Sequence, residues 1–89
     1  MEFEWDDNKR HSNLLKHGLD LVDASALFDG RPIYTRLSAR FEEQRFVTVA
    51  ILDDVLVALV WTERGPVTRL ISPRRARDAE EREYRALFG

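Results

Sequence analysis

The sequence predicts an α+β domain with two amino-terminal helices, an antiparallel meander of about four strands, and a carboxy-terminal helix. Three observations carry that reading. Two aspartates placed as helix caps, Asp6 or Asp7 and then Asp20, are followed by glycine stops at Gly18 and Gly30. Residues 45–75 are apolar and β-branched, interrupted by the turn signals Asp53-Asp54 and Glu63-Arg64-Gly65-Pro66. Residues 78–88 return to helical spacing.

Each element has a local reason. Phe3-Glu4-Trp5 alternates apolar and polar, the pattern of a short first strand. A helix then runs from the Asp6 or Asp7 cap to about His17, ended by Gly18. Asp20 caps a second helix, with Asp23 making an imperfect capping box and Leu19 and Ala24 a hydrophobic staple. Leu21, Ala24, Ser25 and Phe28 form its expected buried face, and Gly30 stops it. Residues 31–36 suit an edge strand, because Pro32 has no N–H for a ladder. Strands over 45–52 and 55–62 follow, joined by the tight Asp53-Asp54 turn. The run Val55–Val60 is apolar on both faces, as a central strand requires. After the next turn a strand extends from Val67 to about Arg75. Asp78-Ala79-Glu80-Glu81 has the capping-box pattern, and Tyr84, Leu87 and Phe88 are placed to lie on the sheet.

Eighty-nine residues hold one core, so residues 1–89 read as a single domain of modest stability. The chain has no cysteine, which removes disulfides and thiolate chemistry and suits a reducing cytosol. No apolar run is long enough to span a membrane, and Met1-Glu2-Phe3-Glu4 lacks a basic signal-peptide start, so a cytoplasmic location is expected. A net charge of −2 argues against a nucleic-acid coat protein, and no recognition-helix motif supports a stand-alone DNA-binding protein. The charge is unevenly spread, however. Between residues 64 and 77 stand Arg64, Arg69, Arg74, Arg75 and Arg77 with no acid among them, while the remainder carries sixteen acids against nine bases. That run is either a local anion site or a solvated face with surface ion pairs. The two histidines, His11 and His17, stand six apart, and no H-E-x-x-H or D-x-D occurs, so neither a metal site nor a cofactor is expected.

A family resemblance joins these pieces. Phe3-Glu4-Trp5-Asp6 with Lys9, Asn13 and Lys16-His17-Gly18 resembles the amino-terminal signature of BrnT toxins. Phe28-Asp29, Glu43-x-Arg45, Thr62-Glu63-Arg64-Gly65, the stretch from Arg69 to Ala76, and Glu83-Tyr84 are similar to the family's later motifs, in order and nearly throughout the chain. The resemblance implies a RelE-like ribonuclease that inhibits translation by cutting RNA. It also implies a BrnA-type antitoxin partner with a ribbon-helix-helix unit, so that operator DNA is reached only through the antitoxin in a hetero-oligomer. Pro73 stands where Ala is usual, and Trp61 where many members carry His or Tyr.

Metal-independent RNA cleavage needs the 2′-hydroxyl to attack the adjacent phosphate in line, with proton transfers and cationic stabilisation of the phosphorane. Arginine suits the last task, because its planar fork binds two phosphate oxygens and stays charged. The candidate catalytic residues are Arg64, Arg69, Arg74 and Glu63. Arg64 is either a turn cation reaching the phosphate or a surface charge. Arg69 either faces a groove or pairs with an acid such as Glu63. Arg74 and Arg75 point to opposite faces of a strand, and the resemblance selects Arg74, leaving Arg75 and Arg77 to bind RNA or the partner. Glu63 is a general base or a solvated turn acid. Tyr84 stacks a base, donates a proton, or simply fills the core. Lys9, Asn13 and His17 form one helical stripe, which either contacts RNA or serves the helix itself, through its dipole and a backbone group. A different class of function remains open: a non-catalytic module that acts as corepressor with a DNA-binding antitoxin.

Overall fold

The computed structural model describes residues 1–38 and 43–89. In chain order these form β1 (Glu2–Glu4), α1 (Asp7–His17), α2 (Leu21–Ala24) running into a 3-10 turn (Ser25–Phe28), β2 (Tyr34–Ser38), β3 (Arg45–Leu52), β4 (Val55–Arg64), β5 (Val67–Arg75) and α3 (Asp78–Phe88). The strands make one sheet ordered β1-β5-β4-β3-β2.

β2 to β5 form the expected antiparallel meander. The sheet nevertheless has five strands and is mixed, because β1 adds to β5 in parallel, Glu2–Glu4 beside Val67–Arg69. Alternation over three residues shows a strand but not its direction, and a partner so distant in the chain leaves no turn signal. β4, the doubly apolar run, takes the central place. Its turn to β3 holds Asp53 at φ 49° and Asp54 at φ 65°, the left-handed pair that a two-residue type I′ hairpin demands. β2 starts at Tyr34 rather than Arg31, which leaves Pro32 outside the ladder. Pro73 pairs with Leu59 but lies past Arg69, the last residue of β5 that β1 reaches.

α1 begins where the Asp6 carboxylate accepts from the Asn8 and Lys9 N–H groups and ends at Gly18, whose φ of 65° is left-handed. The second helix is shorter than expected. Asp20 caps it at the Val22 N–H, but after one α-turn the chain tightens into 3-10 geometry. Buried residues then recur every three positions, at Leu21, Ala24 and Leu27, instead of at Leu21, Ala24, Ser25 and Phe28. α3 also starts one residue earlier than the Asp78–Glu81 box: the Glu80 carboxylate accepts from the Arg77 N–H at 2.8 Å. That register buries Glu80 and Tyr84 and leaves Leu87 and Phe88 exposed, so only Tyr84 of the three expected residues packs on the sheet.

The helices flank the sheet. On one face Leu21, Ala24 and Leu27 pack against Ala50, Leu52, Val57, Leu59 and Leu70. Trp61 extends this core, stacked on Phe46 at 4.5 Å and edge-on to Phe28 at 5.4 Å. Its Nε1–H donates to Thr48 Oγ1 at 2.7 Å, and Thr48 also shares a hydrogen bond with Thr35. On the other face Tyr84 of α3 packs with Val47, Val49 and Ala58 and donates its hydroxyl to the Pro32 carbonyl. Among the described residues, no helix is long and apolar enough to cross a membrane.

Candidate active site

Cross-strand partners share a face, and neighbours along a strand alternate. Arg36 pairs with Val47, Arg45 with Ser38, Arg64 with Val67, Arg69 with Thr62 and Arg74 with Ala58. Since Val47 and Ala58 belong to the Tyr84 cluster, all five arginines lie on the α3 side of the sheet. Continuing the register one step past Phe46–Trp61 sets Arg45, Thr62 and Arg69 in a single row, with Arg64 one position beyond. Strand spacing places the backbones of Arg45 and Arg69 about 10 Å apart, a span that two guanidinium groups close easily.

Among the described residues, three acids neutralise this face, in two different ways. Glu80 is held tightly. Arg74 approaches it with Nη1 at 2.7 Å and Nη2 at 3.0 Å, and Arg36 Nη2 reaches it at 3.0 Å. Burial alone raises this carboxyl, but donation from Arg74, the Arg77 N–H and Arg36 outweighs burial and holds it at about 2. Glu43 and Glu4 are held loosely. Glu43 lies between Arg64 Nη2 at 3.3 Å and Arg45 Nε at 3.7 Å, and Glu4 is 3.4 Å from Arg69 Nη1. These pairs are longer than the 2.7–2.9 Å usual for charge-assisted bonds. The side chains are also part-exposed, 52% for Arg64 and 39% for Glu43.

Arg64, Arg69 and Arg74 therefore share a face. Glu63 does not join them: it pairs with Thr68, on the opposite face, at an exposed strand end. Nor does Arg69 pair with Glu63, because alternation turns the two apart and Glu4 takes the place. Arg75 pairs with Val57 on the α2 side and lines a shallow cavity of about 290 Å³ with Asp54 and Glu81. Arg77 is exposed at the α3 cap. Tyr84 is 4% exposed, its ring against Phe88, so no base can stack on it. Lys9 and His17 are exposed on α1, but Asn13 between them is buried and faces the Ile71 carbonyl and the Ser72 hydroxyl, which divides the stripe. Among the described residues, no three His, Asp or Glu side chains gather as a metal site would require.

Sequence reasoning overlooked Arg36, Arg45, Glu43 and Glu80 as members of this face. Glu43 and Arg45 carry a signal in the E-x-R motif. Arg36 and Glu80 stand 44 residues apart, and no spacing rule links them.

Fold and site together define a small α+β domain that presents guanidinium groups along one side of a mixed sheet. The family model for the ribonuclease toxin BrnT, of type II toxin–antitoxin systems, matches residues 5–80, and the chain belongs to that family. Membership in a type II toxin–antitoxin family implies an antitoxin partner. Among curated proteins, none matches the chain.

Proposed function

We propose that residues 1–89 act as one toxin domain that cuts RNA without a metal ion, on the arginine face of the sheet. The observation that carries this is the loose hold on Arg64 and Arg69. They share a face with Arg45, and ion pairs of 3.3 and 3.4 Å to part-exposed Glu43 and Glu4 restrain them. Exposed pairs of this kind contribute about 0–1 kcal/mol, so a phosphate that accepts two bonds from a guanidinium displaces them. The scissile phosphate then lies between Arg64 and Arg69, which stabilise the charge gathering on the phosphorane oxygens. Arg74, fastened to Glu80, adds positive potential at the margin rather than moving with the substrate. Arg75, Arg77, Lys9 and His17 lie outside this face and contact RNA flanks or the partner. The partner in this reading is a BrnA-type antitoxin, which neutralises the toxin in the cytoplasm and carries operator binding for both.

The test is incubation of the purified chain with RNA in excess chelator, beside Arg64→Ala and Arg69→Ala. Cleavage is expected to persist in chelator and to fall at least about tenfold in each variant. Cleavage that stops in chelator and returns with a divalent ion overturns metal independence. Equal cleavage in both variants overturns the arginine site.

A second reading, the non-catalytic corepressor, has one observation in its favour. Trp61 spends its N–H on Thr48 within the core, so it supplies no proton donor to the face. Expression without the antitoxin separates the two: growth arrest with broken RNA supports the nuclease, and normal growth with intact RNA supports the module.

A further inference from the structure

We infer that Glu43 is the general base of the cleavage and that the bound phosphate itself releases it for that task. The inference rests on the proposed RNA cleavage at the arginine face and assigns it a residue that accepts the proton.

Three described carboxylates lie against the arginines, and the structure sorts them. Glu80 is buried and receives hydrogen bonds from Arg74, Arg36 and the Arg77 N–H, so its lone pairs are occupied by the fold. Glu4 meets only Arg69, at the β1 edge of the sheet. Glu43 alone bridges two arginines from neighbouring strands, with Oε1 at 3.7 Å from Arg45 Nε and Oε2 at 3.3 Å from Arg64 Nη2. A carboxylate between two guanidiniums occupies the place a phosphate would take. Among the described residues, the charged groups on its side of the sheet are Arg45, Arg64 from β4, and the Arg69–Glu4 pair beyond Thr62.

When a phosphate takes over Arg64 from the Arg69 side, Glu43 is displaced from Arg64 by about the width of one hydrogen bond, remains on the Arg45 side and stays beside the phosphorus. The ribose 2′-hydroxyl is next to that phosphorus in the chain. Glu43 accepts the 2′ proton as the 2′-oxygen bonds to phosphorus. The bond from phosphorus to the 5′-oxygen breaks, and a water protonates the departing oxygen and recovers its proton from Glu43. The products are a 2′,3′-cyclic phosphate and a 5′-hydroxyl, with no net proton consumed. Glu63 cannot serve, because the register turns it to the other face.

Steady-state cleavage of a defined RNA by the full chain, across pH, with Glu43→Gln and Glu43→Asp, tests this. Loss of a general base lowers the rate by 10²–10⁴-fold. Glu43→Gln is expected to lower kcat by about 100-fold or more, with KM unchanged or lower, because the amide competes less with phosphate for the arginines. The acid limb of the pH–rate profile should flatten in Glu43→Gln and persist in Glu43→Asp at reduced kcat. Glu43 is part-exposed and loosely bonded, so thermal unfolding should show both variants folded. Parental kcat and pH profile in Glu43→Gln overturn this inference alone. An elevated KM with unchanged kcat does the same, by making Glu43 a mere contact. Intact RNA with the parent chain instead removes the ribonuclease reading beneath it.

Discussion

Glu80→Gln preserves the shape of a buried side chain and removes its charge, which isolates the electrostatic contribution of the α3 anchor. The folded carboxyl sits at about 2 against an ordinary 4.5. That difference corresponds to ~3 kcal/mol of folding stability at neutral pH. The Glu80 side chain is only 5% exposed, so solvent screens it little. Breaking a buried pair by removing one partner costs a similar 3–5 kcal/mol, since Arg74 and Arg36 keep their charges. The folded value lies below the unfolded one, so the stabilisation is full above about pH 4.5 and disappears as pH falls towards 2. Urea unfolding at pH 7 should separate parent and variant by ~3 kcal/mol, and at pH 3.5 by ~2 kcal/mol. A separation below ~1 kcal/mol at pH 7, or one that does not shrink in acid, refutes the reasoning.

Three further outcomes follow from the same structure. Arg74→Ala should destabilise the fold by ~3 kcal/mol, whereas Arg64→Ala should change stability by less than ~1 kcal/mol, as thermal unfolding of the two will show. Thr48→Val keeps volume but strands the Trp61 N–H in the core, and should cost about 1–3 kcal/mol by urea unfolding, with tryptophan emission as the probe. Asp54→Gly relieves a left-handed residue at φ 65°, and should raise the melting temperature in calorimetry by several degrees, from ~1 kcal/mol of gained stability.

Much of this architecture is written in short-range chemistry. The Asp6 and Asp20 caps, the Gly18 stop, the Asp53-Asp54 hairpin and the strands 45–52 and 67–75 follow from residues within a few positions of one another. Where an element depends on distant partners, local reading gives way. β1 has a direction only because β5 lies beside it. α2 tightens to 3-10 geometry because Leu27, rather than Ser25, fills the core. α3 is capped at Arg77, not Asp78, because Glu80 answers to Arg36 and Arg74 as well as to its own helix. The arginine site divides along the same line. Strand alternation alone separates Arg74 from Arg75, but turning Arg69 away from Glu63 takes the β4–β5 register, and Arg36 and Glu80 meet only in three dimensions.

The unequal strength of these ion pairs organises the face. Two arginines serve the fold: Arg74 and Arg36 hold Glu80, and through it the start of α3, at distances of 2.7–3.0 Å in a buried setting. Two are held more loosely: Arg64 and Arg69 meet part-exposed carboxylates at 3.3 and 3.4 Å, where water screens the attraction. Guanidinium groups that share one side of a sheet repel one another unless carboxylates stand among them. Glu43 and Glu4 do this reversibly, and they also lower the pull of the face on RNA at long range. RNA binding should weaken with salt, because each phosphate that an arginine takes over releases a counterion from the RNA, as filter binding at several salt concentrations will show.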